Sequence, residues 1–215
     1  MINEAKGQMY TWITHTWNTV KGECPHGCTY CYMKRWGKQK PVHFDESELK
    51  TDLGSGKFIF IGSSCDLWAD SIPEEWILKT LEHCAKFDNT YLFQTKNPKN
   101  IRRILPVKSR VCITLETNRW YPEIMKDSPS PEARVEQVKL IRHPVYITIE
   151  PIMDFDLNEL LRMIYDCSPK QIIIGADSGN NDLPEPSKDK LEQLIFALKS
   201  YYTIDQKRNL KRLLI

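Results

Sequence analysis

The sequence lacks the long apolar segments that membrane or secreted proteins need. No run approaches the roughly 20 apolar residues of a membrane span, and the first ten residues contain no apolar signal segment. There is no internal repeat and no low-complexity stretch. The formal net charge is only +2, so charge alone does not identify a nucleic-acid binder. Because 41% of the 215 residues are hydrophobic, we expect one cytoplasmic domain spanning residues 1–215, with a real core and no membrane partner.

The sequence also lacks the paired spacing of a zinc site. Its cysteines are seven, an odd number, and in a reducing cytoplasm they are expected to bind metal, not to form disulfides. Cys24, Cys28 and Cys31 fall within eight residues as C-x3-C-x2-C, and no second Cys or His pair follows. Three thiolates suit an iron-sulfur cluster with one iron left open. The alternative is a zinc site in which His26 is the fourth ligand.

Short apolar, β-branched runs alternate with amphipathic stretches along the chain. Continuous runs such as Phe58–Ile61 are typical of strands buried on both faces of a parallel sheet. The predicted strands are Thr16–Val20, Lys57–Ile61, Tyr91–Gln94, Arg110–Leu115, Val145–Ile149 and Gln171–Ile174. The predicted helices are Pro73–Lys86, Pro98–Leu105, Pro131–Ile141, Leu157–Tyr165 and Ser187–Tyr201. This alternation predicts an α/β fold, a compact partial (β/α)6 TIM-like barrel, since a full eight-unit barrel typically takes about 250 residues.

Polar residues follow each predicted strand. The cysteine loop follows the first strand, and the later strand ends carry polar, glycine-bearing or charged segments. In parallel α/β folds the site lies at the carboxyl ends of the strands. We therefore expect these segments to surround one barrel-mouth site.

The segment Cys24–Cys31 resembles the cluster motif of the radical S-adenosylmethionine (radical SAM) superfamily. Within that superfamily, Thr16–Val20 (Thr-Trp-Asn-Thr-Val) and Gln94–Pro98 (Gln-Thr-Lys-Asn-Pro) are similar to a small phage and prokaryotic group distantly similar to spore photoproduct lyase. The resemblance implies a [4Fe-4S] cluster on Cys24, Cys28 and Cys31, with SAM chelating the fourth iron. It further implies reductive cleavage of SAM to a 5′-deoxyadenosyl radical, hydrogen abstraction from a substrate, and a low-potential electron donor of the flavodoxin or ferredoxin type.

The resemblance also implies roles for residues at the strand ends. Tyr30 occupies the aromatic position set against the adenine of SAM, and Gly175 and Ala176 let the backbone approach that ring. The superfamily segment Gly-Gly-Glu maps by position onto Gly62–Asp66, where serines replace the second glycine. The implied cofactor-binding residues are Tyr30, Ser63, Ser64, Asp66, Lys96, Glu116, Asn118 and Glu150. Asp66 would hold the amino group, Lys96 the carboxylate, and Glu116 with Asn118 the ribose. The segment before Glu150 lacks the glycines of the superfamily pattern.

Each of these residues also has a simpler interpretation. Cys65 is either a catalytic hydrogen-atom donor or a small buried residue. Lys96 and Glu116 could form an ordinary ion pair, Asp66 could cap a turn, and Glu150 could simply end a strand. Cys84, Cys112 and Cys167 are expected in the core.

The segment Lys34–Lys40 carries four cations and a tryptophan, which suit phosphates and a stacked base. A solvated basic loop is the simpler alternative, and Arg102, Arg103, Lys108 and Arg110 form a second basic cluster. A nucleic-acid base or nucleotide is the first candidate substrate, and a peptide or small metabolite is the second. A non-catalytic iron-sulfur or zinc module is the third interpretation. We expect a large substrate or a partner chain to cover the barrel mouth, and the tail Lys207–Ile215 to dock on the domain.

Overall fold

The computed structural model describes residues 1–101 and 105–215. Its main sheet has eight strands in the order β1-β2-β5-β6-β7-β8-β9-β10. These are β1 (Asn3–Glu4), β2 (His15–Trp17), β5 (Phe58–Ile61), β6 (Thr90–Thr95), β7 (Ser109–Thr114), β8 (Val145–Ile149), β9 (Gln171–Ile174) and β10 (Thr203–Gln206). Only β1 is antiparallel to its neighbour, so seven consecutive strands run parallel. The sheet is not closed, and the predicted partial α/β barrel is confirmed.

The strand count differs from the prediction by one parallel strand. β10 has the sequence Thr-Ile-Asp-Gln, whose burial is only partial, so it lacks the apolar run that identified the other strands. The predicted first strand is also divided. β2 ends at Trp17, and Val20–Lys21 (β3) turns away to pair with His43–Phe44 (β4) in a separate two-stranded sheet.

Five α-helices lie between these strands in the described part of the chain. They are α1 (Glu74–Cys84), α2 (Pro122–Met125), α3 (Pro131–Val138), α4 (Leu157–Cys167) and α5 (Lys188–Lys199). Ser130 and Ser187 accept backbone N–H groups at the starts of α3 and α5, which is ordinary N-capping. Four of the five predicted helices have counterparts here. The prediction for Pro98–Leu105 meets only a 3-10 turn over Pro98–Asn100, and Arg102 and Arg103 lie outside the described residues.

Side chains alternate along each strand between two apolar layers. Ile59, Phe93 and Ile147 point to the outer layer under the helices. Phe60 and Leu92 point inward and pack against Tyr10 from the segment between β1 and β2. Because a fully buried side chain of this size contributes about 1.5–3 kcal/mol, both layers favour continuous apolar strands. Cys84 and Cys167 lie in the outer layer and Cys112 in the inner one.

The inner layer fills the interior with apolar side chains, and the loops that carry the predicted site residues follow the carboxyl ends of the strands. That end we call the mouth. No helix within residues 1–101 and 105–215 has the length and apolar content needed to cross a membrane. That residues 1–215 form a single domain stays a prediction.

Candidate functional site at the barrel mouth

The cysteine loop is held at the mouth by backbone contacts to a distant segment. Thr29 N–H donates to the Ile124 carbonyl at 3.0 Å, and Asp127 N–H donates to the His26 carbonyl at 3.1 Å. The Cys28 thiol faces the Met125 carbonyl at 3.6 Å. Helix α2 and the residues after it therefore fix the shape of the loop.

The three cysteines suit a cluster better than a single metal ion. All three are free thiols, with Cys28 buried and the other two half-buried. Across the described residues, no three His, Cys, Asp or Glu side chains converge at single-ion spacing. His26, the fourth ligand of the zinc alternative, instead places Nε2 2.7 Å from Asp66 Oδ2. The donor set of three free thiols fits the three protein ligands of a [4Fe-4S] group with one open iron.

Cys65 lies beside the cysteine loop. Its side chain is 2% exposed, as a core residue would be. It nevertheless interacts with Cys24, and this interaction is the largest cause that lowers the pKa of the Cys24 thiol to about 6. Cys65 is thus buried, as the simpler interpretation expected, and it lies next to a predicted cluster ligand. Its role as a hydrogen-atom donor stays a prediction.

Asp66 is a saturated acceptor at the end of β5. Besides His26, its Oδ2 accepts from the Thr95 hydroxyl and from Lys96 N–H, both at 2.9 Å. Its Oδ1 accepts from Trp68 N–H at 2.9 Å, as expected for a side chain that caps a turn. Burial opposes its ionisation, but His26 and the backbone donors outweigh burial and lower its pKa. The carboxylate joins the loops after β5 and β6 to the cysteine loop, and its role toward SAM stays a prediction.

Glu116, at the end of β7, is the centre of a buried charged network. The Tyr30 hydroxyl donates to Oε1, and Arg134 Nη1 donates to Oε2 at 2.6 Å. Lys96 Nζ lies 3.8 Å from Oε1 and 5.3 Å from the centre of the Tyr30 ring. Glu116 and Arg134 are both 0% exposed. The predicted mouth residues Tyr30, Lys96 and Glu116 are therefore brought together, and the ordinary ion pair expected as an alternative is present as well.

This network contains two cations, Arg134 and Lys96, and one carboxylate, Glu116. Burial raises the pKa of Glu116, but Arg134, Lys96 and the Tyr30 hydroxyl lower it further than burial raises it. Burial likewise acts to lower the pKa of Lys96, but the Cys28 thiol and Glu116 raise it overall. A cation held next to Cys28 fits a site whose ligands are thiolates and whose cluster is anionic.

Arg134 was not found by sequence reasoning. It lies on α3, and its guanidinium also donates to the carbonyls of Thr114 and Pro129 at 2.8 and 2.7 Å. On a polar eight-residue helix an arginine is expected to be solvated, so no sequence signal distinguishes it.

The remaining predicted polar residues contact protein partners. Ser63 exchanges hydrogen bonds with the side chain of Asn18 at 3.2 Å, and Ser64 N–H donates to the same side chain at 3.4 Å. Asn118 lies in the loop after β7. Its Oδ1 accepts from the N–H of Asp156, the residue that precedes α4, at 2.8 Å. These contacts show how the loops are ordered. Whether Ser63, Ser64 and Asn118 also contact SAM stays a prediction.

A second polar cluster surrounds Glu150 at the end of β8. Lys207 Nζ donates to Glu150 Oε2 at 2.8 Å, and Asn209 Nδ2 donates to the Ala176 carbonyl at 2.6 Å and to Ser178 Oγ at 2.8 Å. A Cβ on Gly175 would lie 2.9 Å from the Glu150 carboxylate, so the glycine makes room for that side chain. The predicted docking of the tail takes place here, with Leu210 buried.

Glu150 differs from Glu116 in its ionisation. Burial is the largest influence and raises the pKa of Glu150, although Lys207 and Asn209 act to lower it. Lys207 and Asn209 were missed from sequence because they follow β10, the strand that was not predicted. Tyr10 was missed too. Its hydroxyl donates to Gln94 Oε1 at 2.8 Å inside the barrel, and Lys207 Nζ lies 5.1 Å from its ring centre.

The fold is shared with solved structures at low sequence identity. A mutant of spore photoproduct lyase with bound AdoMet and dinucleoside spore photoproduct superposes with a TM-score of 0.65 at 11% identity, covering 92% of this chain and 78% of that one. Spore photoproduct lyase complexed with dinucleoside spore photoproduct gives 0.60 at 11% identity, covering 88% and 62%. Streptococcus suis SuiB bound to precursor peptide SuiA gives 0.52 at 9% identity, covering 89% and 48%.

These likenesses, all at 11% identity or less, show a shared fold. No curated protein sequence matches the chain. One family profile matches residues 8–188, a range that includes the cysteine loop and every predicted site residue. The chain belongs to the family described as "Protein of unknown function (DUF5131)".

Proposed function

We propose that this protein is a radical SAM enzyme. The observation that carries the proposal is the position of the C-x3-C-x2-C loop, whose three free thiols lie at the carboxyl ends of a parallel partial barrel. When bound, a [4Fe-4S] cluster with SAM supplies a 5′-deoxyadenosyl radical that abstracts hydrogen from a substrate.

In this proposal Cys24, Cys28 and Cys31 hold the cluster. Lys96 supplies a fixed positive charge for the SAM carboxylate, since Glu116 and the Tyr30 ring hold its ammonium group from one side. Tyr30 is oriented through its hydroxyl, which leaves a ring face available to the adenine. Contacts of Ser63, Ser64, Asp66, Glu116, Asn118 and Glu150 with SAM are proposed on position alone.

Cys65 is proposed as the hydrogen-atom donor. Its S–H bond would break homolytically, the hydrogen atom would pass to the substrate radical, and a thiyl radical would remain. An electron from the low-potential donor and a proton from solvent would restore the thiol. Its position in the loop after β5, next to Cys24 of the cysteine loop, supports this assignment.

Reconstitution tests the chemistry directly. The anaerobically reconstituted protein is expected to hold about four irons per chain and, once reduced, to release 5′-deoxyadenosine from SAM. The Cys28→Ser variant is expected to lose both properties. Cys167→Ala, which changes a buried cysteine under the helices, is the matched control and is expected to keep them. A protein that holds only zinc, or a Cys28→Ser variant that still cleaves SAM, would contradict the proposal.

We propose a nucleic-acid base or nucleotide as the substrate. The four cations of Lys34–Lys40 follow the cysteine loop directly, and the lyase structures with the same fold are bound to a dinucleoside. A peptide or small metabolite is the second candidate, supported by the precursor peptide bound to SuiB. A non-catalytic iron-sulfur or zinc module is the third, and SAM cleavage excludes it. Transfer of deuterium from labelled oligonucleotides or peptides into 5′-deoxyadenosine distinguishes the first two.

The proposed partners are a flavodoxin- or ferredoxin-type electron donor and a covering chain or large substrate. Trp120, close to the mouth, is 43% exposed, which supports a further contact at that position. Reduction of the cluster by purified flavodoxin, followed by its absorbance, tests the first of these partners.

A further inference from the structure

A short 3-10 turn, Tyr32–Trp36, follows the last cysteine of the loop without a break. None of its residues is buried, and Gly37 ends it with a φ of 79°, a value that glycine adopts readily. Trp36 is 68% exposed and Tyr32 is 44% exposed. Both rings leave apolar area in water that a partner could cover.

The two rings share one cation. The Arg35 guanidinium lies 5.3 Å from the Tyr32 ring centre and 5.4 Å from the Trp36 ring centre, within cation–π range of both. These contacts hold Arg35, Tyr32 and Trp36 together on the surface. We call these three residues the platform. Its three planar groups are arranged before any ligand binds.

The charge around the platform has one sign. Lys34, Lys38 and Lys40 are exposed, and the sequence contains no acidic residue between Glu23 and Asp45. Asp45 is paired with Lys21 at 2.7 Å. In a chain whose net charge is only +2, this is a local concentration of positive charge. It suits a polyanion, whereas a neutral apolar partner would not need it.

The platform is fixed to the mouth. The Tyr32 hydroxyl donates to the Ser63 carbonyl at 2.7 Å, in the loop that also carries Cys65. A planar group stacked on Tyr32 or Trp36 would therefore be bound next to the cysteine loop.

We propose that the platform binds unpaired bases of single-stranded nucleic acid beside the reacting nucleotide. This inference rests on the proposed function and deepens its substrate class. Exposed rings stack on base faces regardless of sequence, and the lysines contact the phosphates. A duplex hides its base faces, so the platform selects single strands over duplexes.

The test measures binding by fluorescence anisotropy with the reconstituted protein and a labelled oligothymidylate of about twelve nucleotides. The unsubstituted protein is expected to bind this strand at least about ten times more tightly than a duplex of equal length. Trp36→Ala is expected to weaken binding about tenfold at both about 50 and 200 mM salt, because stacking depends little on salt. Arg35→Met is expected to weaken binding and to reduce its salt dependence, since it removes a cation as well as a planar group.

The matched control is Phe196→Ala, which removes an equally exposed ring on α5, and it is expected to leave binding unchanged. The inference would be overturned if the protein bound duplex as tightly as the single strand, or if Trp36→Ala bound the strand as tightly as the unsubstituted protein. It would also be overturned if polyglutamate competed for binding as well as an unlabelled single strand does. An oligouridylate arm of the same length shows whether DNA or RNA is preferred. Release of 5′-deoxyadenosine by the unsubstituted protein is measured beside binding. If the protein cleaves SAM but does not bind the strand, only the inference about the platform is refuted. If it binds the strand but does not cleave SAM, only the proposed radical SAM function is refuted.

Discussion

Two carboxylates at neighbouring strand ends, Glu116 after β7 and Glu150 after β8, are held in opposite ways. Glu116 is fully buried, and Arg134 at 2.6 Å and the Tyr30 hydroxyl lower its pKa despite burial. Glu150 has Lys207 at 2.8 Å, yet burial raises its pKa. Both sites pair a carboxylate with a cation, but only the first provides enough donors to outweigh desolvation.

The two sides of the mouth therefore differ in the ionisation of their carboxylates. On the β7 side a permanent negative charge anchors Tyr30 and, through it, the cysteine loop. On the β8 side the carboxylate takes up a proton more readily, as expected of a group that meets ligands. The Glu116 carboxylate on the β7 side therefore keeps its charge, and the Glu150 carboxylate on the β8 side is the one that protonates more readily as the pH falls.

The largest expected effect comes from breaking the buried pair on the β7 side. Arg134→Met leaves the buried Glu116 carboxylate with the Tyr30 hydroxyl and with Lys96 at 3.8 Å but without its nearest cation, which is expected to lower the free energy of unfolding by about 3 kcal/mol. The double variant Arg134→Met/Glu116→Gln removes both charges and is expected to recover most of that loss. Urea unfolding under anaerobic conditions measures both. A single variant as stable as the double would show that the pair does not anchor the site.

A smaller loss of unfolding free energy is expected when a single hydrogen-bond donor is removed on either side of the mouth. Tyr30→Phe removes the donor to the ionised Glu116 and is expected to cost about 2 kcal/mol. Asn209→Ala removes bonds to the Ala176 carbonyl and the Ser178 hydroxyl and a long contact, 3.5 Å, to Glu150 Oε1, and is expected to cost about 1 kcal/mol. The same unfolding measurement compares them. If Asn209→Ala lost more free energy of unfolding than Tyr30→Phe, the β8 side, and not the β7 side, would be the more strongly anchored one.

The smallest effect is the dependence of stability on pH. Because the pKa of Glu116 is lower in the folded state than its ordinary 4.5, its contribution is present above pH 4.5 and is lost as the pH falls through the lowered value. Because the pKa of Glu150 is raised, its contribution is present below pH 4.5 and is lost as the pH rises through the raised value. Lys207, Asp205 and Tyr10 are the titrating groups that surround Glu150.

Substitution therefore changes the slope of stability against pH in opposite directions. Glu116→Gln is expected to remove a rise of stability with pH, and Glu150→Gln to remove a fall. Unfolding midpoints at several pH values measure the slopes. Equal changes in both variants would mean that the two carboxylates are equivalent.

The sequence predicts the parts of this fold that depend on local pattern. The apolar runs identify six parallel strands, and the carboxyl-end rule brings Tyr30, Lys96 and Glu116 together. The sequence does not predict which distant residues a polar side chain will contact in the fold. Asp66 is correctly expected at the mouth, but its four donors come from three separate segments. Lys207 is missed because a half-buried edge strand such as β10 lacks an apolar run.

The loop that holds the predicted cluster has a consequence for biosynthesis. The Cys28 thiol meets the Met125 carbonyl across a sequence separation of 97 residues, and Thr29 depends on Ile124. A nascent chain that carries the three cysteines but has not yet produced α2 cannot fix the shape of the loop. Long-range contacts of this kind form late, after the entropy of closing a long loop has been overcome. The proposed cluster would therefore be assembled only after residues 122–127 have been synthesised and docked on the cysteine loop.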